Sequence, residues 1–272
     1  LPVLLYREAD TKTWRSLGVY DATMRALTAK ALQVRPLQAA LDEVWHRQLD
    51  LFEEDLGHPD PRVATSAWAI WANAPYRVLA TRRSAPPPTA LRKWLADEIR
   101  PHEDNLWWTL LGQHGEADDH REIARRLEES WKNHDTEALA GIMSAHLASQ
   151  GKSGVQFLTD RYLFDRERTL EEIQNAVIVL GEHGSASEDL RPSIRRSFDR
   201  FYTARRPLAG LVAPKFQDWE HWVPWPKYAE MLSSGEPILP STRTAIIDYL
   251  RACPEPGTRE ALQRLEPVKP KP

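Results

Sequence analysis

The eight residues WTLLGQHG, Trp108 to Gly115, return as VIVLGEHG, Val177 to Gly184, at an offset of 69. Between the two copies lies AHLASQG, whose Gly151 stands 36 residues after Gly115 and 33 before Gly184. Pro254 follows Gly184 by 70, and Pro75 precedes Gly115 by 40. The phase blurs only near FQDWEHW. A unit of roughly 33 to 40 residues, repeated about five or six times, lies in the range of tandem helical repeats. A chain with that period is tightly constrained. One such unit cannot hide its apolar face alone, so neighbours must stack to make a continuous core. Glycine at the unit end is expected to stop a helix in the left-handed conformation. His114 and His183 are then expected in last helical turns, where a cation or a hydrogen-bond donor suits the carbonyl end.

Local patterning agrees with that period. Leu1 to about residue 35 reads as a β-hairpin or arm, with LPVLLYRE and TWRSLGVY as strand-like runs. From about Pro36 the apolar period becomes helical. Leu37, Leu41, Val44, Trp45 and Leu49 share one stripe. Asp60 can cap the next helix with Pro61 at its first position, where the missing N–H costs nothing. Thr169-x-x-Glu172 has capping-box form ahead of Ile173, Val177 and Leu180. Ser187 precedes Ile194, Phe198 and Phe201, and Ser241 precedes Ile246, Ile247 and Leu250. The expected organisation is a hairpin or arm at 1–35, a helical-repeat domain at 36–265 and an extended Pro/Lys tail at 266–272.

The stretch HPDPRVATSAWAIWANAPY, with the loop-helix units after it, resembles the HEAT-like α-helical repeats. More narrowly, that stretch together with LRKWLADE, LLGQHG, DWEHW and IIDYLRACP is similar to uncharacterised exported bacterial HEAT-like proteins that carry a small β-domain before the array. The resemblance covers about residues 50–265. It implies an all-α fold, a HEAT-like α-solenoid wound as a right-handed superhelix of antiparallel helix pairs, behind a short N-terminal β-hairpin. It also implies export, with more β-domain and a signal upstream of Leu1. Helical repeats present long faces to other proteins, so the expected role is a non-catalytic interaction scaffold or accessory subunit of a larger assembly. That expectation rests on fold alone.

Chemistry is sparse. Lys plus Arg is 36 against 39 Asp plus Glu, a formal net charge of −3, which disfavours nucleic-acid binding by a HEAT-like module. No apolar run approaches the roughly 18 residues of a membrane span. One His-Glu dipeptide, His102-Glu103, is too little for the multi-ligand iron site of HEAT-like hydroxylases. Gly151-Lys152-Ser153-Gly154 contains GKS without the upstream glycine of a phosphate loop, and reads as an inter-helix turn. His120 beside Asp118 and Asp119 reads as a solvated first turn at the positive end of a helix. Cys253 reads as a small buried hydrophobe near a helix end. No catalytic, cofactor-binding or metal-ligating residue, and no small-molecule ligand, is assigned.

Two features remain as candidate contacts with other protein subunits. Trp219, Trp222 and Trp225 lie in FQDWEHWVPWPKY, which mixes aromatics with Pro, His and acids. Such a stretch is either a recognition surface or a loop anchored to the core. If it is a surface, a groove near Trp219–Trp225 offers the alternative of a small-ligand or enzymatic site. Arg195, Arg196 and Arg200 form a basic strip. It faces either an anionic partner or, through acids such as Glu188 and Asp189, only solvent.

Overall fold

The computed structural model describes residues 3–7, 13–19, 21–33, 42–97, 103–234 and 238–265. Leu37, Leu41, His102 and the 266–272 tail lie outside the described residues. The described chain is predominantly α-helical and divides into two compact units, Leu1–Ala90 and Leu91–Pro272.

In the first unit, β1 (Val3–Arg7) pairs antiparallel with β2 (Trp14–Val19), with Val3 opposite Val19 and Arg7 opposite Trp14. The segment to residue 35, read from sequence as hairpin or arm, also holds a helix, α1 (Ala22–Ala31). Asp21 caps it by accepting from the Met24 N–H at 2.9 Å. Its buried stripe is only Met24 and Leu27, too short to stand out as a period. Helices α2 (Asp42–Phe52), α3 (Pro61–Ala72) and α4 (Tyr76–Thr81) follow. Leu49, Phe52, Leu56, Ala67, Trp71 and Val78 form their core. Asp60 and Pro61 start α3 as the pattern predicts. Arg62 then bridges Asp60 at 2.6 Å and Asp21 at 2.8 Å, tying α3 to the cap of α1.

Helix α5 (Pro88–Leu95) leads into the second unit. That unit continues with α6 (Asp104–His114), α7 (Ala117–Asn133), α8 (Leu139–Gln150) and α9 (Lys152–Leu158). A π-helical turn, Thr159–Leu163, precedes α10 (Leu170–Ala186) and α11 (Arg191–Ala204). After a 3₁₀ segment at Arg206–Leu211 come α12 (Ala213–Asp218), α13 (Trp225–Ser233), α14 (Pro240–Ala252) and α15 (Pro256–Leu265). Helix α8 packs against α6, α7 and α10, so almost all its length is buried; α10 also packs on α11, and α14 on α12, α13 and α15. Thr169 and Glu172 close the capping box at the start of α10, as their spacing predicts. Cys253 is buried just past α14.

The connections between these helices repeat in sequence separation. Gly141 N–H donates to Asn105 Oδ1 across 36 residues, and Ser144 shares a hydrogen bond with His183 across 39. Thr159 donates to Ser197 across 38, Arg168 to the Trp131 carbonyl across 37, and Trp219 to Ser185 across 34. These separations match the period of the glycine-ended units.

The glycine rule itself is corrected. Gly151 has φ +57 but ψ −125, outside the left-handed helical region, Gly115 has φ −72, and Gly184 lies inside α10, which runs on to Ala186. Both glycines of each motif are closely approached: a Cβ on Gly115 would sit 2.3 Å from the Leu111 carbonyl oxygen and one on Gly184 2.7 Å from the Trp219 ring. A Cβ on Gly112 would sit 2.2 Å from the Ala145 Cα of α8, and one on Gly181 would sit 2.8 Å from the Lys215 Cγ of α12. Gly141 answers from α8, where a Cβ would come within 2.4 Å of the Asn105 carbonyl oxygen. At Gly112 and Gly141 the obstruction is backbone, so only a hydrogen at Cα lets α6 and α8 approach so closely.

The histidine reading is corrected in part. His114 and His183 both sit in the last turns of their helices, α6 and α10. His183 does not act as a cation at a helix end. It is 3 % exposed, and burial pushes its pKa down to about 3, so the ring is neutral.

Candidate functional site

Helix α11 turns Ile194, Phe198 and Phe201 wholly inward. Their three- and four-residue spacing leaves Arg195, Arg196 and Arg200 on the outer side, and all three are exposed. The helix is fixed behind them. Thr159 donates to Ser197 Oγ at 3.0 Å, and Phe198 stacks on Trp219 with ring centroids 5.8 Å apart.

The three arginines are not equivalent. Arg200 lies over the Phe164 ring at 4.5 Å, a cation–π contact that stiffens it. Arg195 and Arg196 form no ion pair among the described residues. Of the acids named from the sequence, Asp189 takes Lys152 at 2.6 Å and Glu188 is exposed; Asp199, on α11 itself, faces His221 at 3.0 Å. The picture of a self-neutralised strip is therefore corrected, since chain direction carries Asp189 toward α9 and away from the arginines. Elsewhere in the second unit, surface charges pair readily. Arg125 binds both Glu122 and Glu129, and Arg92 grips Asp119 at 2.6 and 2.8 Å. The Arg92 guanidinium holds the Asp119 carboxyl below the usual carboxylate range. Asp119 also accepts from the Glu116 N–H at 2.7 Å, so the acids around His120 organise the start of α7.

The tryptophan stretch takes the role of anchor. Trp219 donates its indole N–H to Ser185 Oγ at 3.0 Å and lies on Gly184, where a Cβ would come within 2.7 Å of the ring. Trp222 packs tilted on Tyr249 at 5.2 Å, and Trp225 occupies the space above Gly257. Tyr249 in turn donates to the His221 carbonyl at 2.8 Å. All three indoles are half-buried; Val223 between them is 75 % exposed. The turn carries Glu220 at φ +52, a left-handed conformation costly to a residue with a Cβ. So the structure gathers Arg195, Arg196 and Arg200 on one helix face and stacks Trp219 on Phe198 behind it, while Trp222 and Trp225 pack on Tyr249 and at Gly257.

Sequence reasoning passed over a cavity of about 430 Å³ elsewhere in the second unit, lined by Asp97, Asp104, Asp135 and Glu137 with Trp108 and Ser130. Its residues come from α6, α7 and the loops after α5 and α7, so no short motif contains them. Among the described residues, no group of three or more His, Cys, Asp or Glu is placed to hold a metal ion. None of the described helices is long and apolar enough to cross a membrane. No family model, no curated protein and no solved structure matches the chain.

Proposed function

We propose that this chain is a HEAT-like α-solenoid that serves as a non-catalytic protein–protein interaction scaffold, engaging an acidic protein surface through the outer side of α11. The observation that carries the reading is the pair Arg195 and Arg196, exposed and without an ion pair among the described residues, on a helix whose opposite side is fully packed. A helix packed along its opposite side adds no backbone ordering cost when its outer side is engaged. Arginine forks also match carboxylates bidentately. The 33-to-40-residue recurrence of inter-helix contacts supports a stacked array, in which such a face extends over neighbouring units. The N-terminal β-pair would then precede the array, and the half-buried tryptophans would brace the face from behind.

The test is affinity capture with the wild-type chain and with Arg195→Glu/Arg196→Glu, followed by mass spectrometry and a binding assay on any purified partner. Charge reversal is expected to abolish capture while circular dichroism stays unchanged, and Arg195→Lys/Arg196→Lys is expected to restore part of it. A wild-type chain that stays alone at high concentration, or a reversed variant that keeps every partner, overturns the proposal.

A further inference from the structure

Helix α11 carries a single carboxylate, Asp199, set four residues after Arg195 and three after Arg196. At those spacings side chains of opposite charge meet on one helix surface. The second unit makes such pairs in the same order elsewhere. Arg125 binds Glu129 four residues on, and Lys215 binds Asp218 three on at 3.2 Å. On α11 neither pair forms. Asp199 turns to His221, and Arg195 and Arg196 stand exposed without an ion pair among the described residues. The local pairing is forestalled from outside the helix.

Asp199 Oδ1 lies 3.0 Å from His221 Nε2. A carboxylate only accepts, so Nε2 carries the hydrogen and the imidazole donates. His221 is held in place to do this. Its backbone N–H donates to the Phe216 carbonyl and its carbonyl accepts from the Tyr249 hydroxyl, both at 2.8 Å. Its ring tilts against Phe216 with centroids 5.0 Å apart, and its side chain is 11 % exposed against 37 % for Asp199. The bend that delivers it passes through Glu220 at φ +52, a conformation that a residue with a Cβ adopts only at a cost. Bonding to a partner already fixed leaves little freedom to lose, whereas pairing with an exposed arginine orders a long side chain in water.

We infer that His221 is a positioning residue for the docking face: it draws Asp199 away from Arg195 and Arg196 and so leaves both guanidinium groups open to an acidic partner. The inference rests on the reading of α11 as that face. It makes the charge of the face depend on the turn between α12 and α13, which Trp219 on Phe198 and Trp222 on Tyr249 hold against the core. Without the imidazole, Asp199 falls back on its helical neighbours and neutralises one of the two arginines.

The test has two arms, both on the full chain. The first needs no partner. With isotopically labelled arginine, the Nε–H resonances of Arg195 and Arg196 are assigned through Arg195→Lys and Arg196→Lys. They are then followed in His221→Phe and His221→Leu, two variants that remove the donor, and circular dichroism confirms that each is folded. At least one resonance is expected to shift and to exchange more slowly with water. Adding Asp199→Ala is expected to reverse both changes, and His221→Gln, whose amide can still donate to Asp199, is expected to keep the wild-type resonances. The second arm is fluorescence anisotropy with a labelled Glu-rich peptide. His221→Phe is expected to weaken its binding by about twofold to fivefold, the strength of one exposed ion pair, and to have no effect in the Asp199→Ala background. Unchanged arginine resonances, a peptide bound equally by wild type and His221→Phe, or a weakening that persists in Asp199→Ala overturns the inference. A peptide that ignores the wild-type chain while the resonances move as expected overturns the docking reading instead, and supports the placement of Asp199 by His221.

Discussion

At the scale of single residues, glycine and histidine carry the packing in ways their sequence positions only half reveal. Gly112 has no room for a Cβ, because the obstruction at 2.2 Å is the backbone of Ala145, which cannot rotate away. Gly112→Val is expected to destabilise the chain by about 1–3 kcal/mol through forced separation of α6 and α8. Gly151 has open space around it but lies at φ +57, ψ −125, so Gly151→Ala should cost about 1–3 kcal/mol through backbone strain alone. Urea unfolding checks both, and a Gly112→Val midpoint equal to wild type would remove the close-approach account. His183 gives a pH signature. Its folded pKa, about 3, lies below the ordinary value of 6.5 because burial penalises the charged ring. The unfolded chain therefore binds more protons through this window, and the stabilising contribution is present above pH 6.5 and lost as pH falls toward 3. Within the window, the slope from this group is about 1.4 kcal/mol per pH unit. His183→Asn should flatten that part of the stability curve; a variant as acid-sensitive as wild type would show that the ring is not held neutral.

At the scale of helices, the polar connectors between units matter more than the surface pairs. Arg168 reaches from the loop before α10 to the Trp131 carbonyl at 2.7 Å, to Glu172 at 2.9 Å and over the Trp131 ring at 5.4 Å. Glu172 is fully buried. Burial alone would raise its pKa, but hydrogen bonds from the Thr169 N–H and from His134, with the charge of Arg168, outweigh this and leave it below the ordinary range. Removing the arginine strands a buried carboxylate, so Arg168→Ala should cost about 3–5 kcal/mol, whereas Arg168→Met/Glu172→Met should cost much less. Chemical denaturation of the two variants decides it, and equal losses would mean that the pair acts only by filling space. The capping box at Thr169 and Glu172 was legible from four letters because it is local. The arginine was not. Its partners lie 37 residues back and 4 ahead, and no short pattern encodes a long-range contact.

At the scale of the whole molecule, charge is nearly balanced, so any partner must be found by local excess. Arg195 and Arg196, exposed and without an ion pair among the described residues, provide a positive one. Capture through the arginines should weaken steeply as salt rises beyond physiological strength, because exposed charges are screened over about 8 Å at 0.15 M. Gel filtration and capture at several salt concentrations measure this, and a partner held equally at high salt would place the contact away from α11. The candidate arginines were legible because exposure follows from helical spacing around Ile194 and Phe198. Their freedom from ion pairs was not, since Asp189 sits near them in sequence and binds Lys152 in space.

By itself the sequence determined that the chain is helical and where several helices start, because apolar period and capping are set within one turn. Tertiary structure alone decided what each close-packed glycine meets, that His183 is neutral, and that Trp219, Trp222 and Trp225 pack on Phe198, on Tyr249 and at Gly257. Those properties depend on what a distant residue places beside a side chain, and burial, close approach and local field have no counterpart in the order of letters.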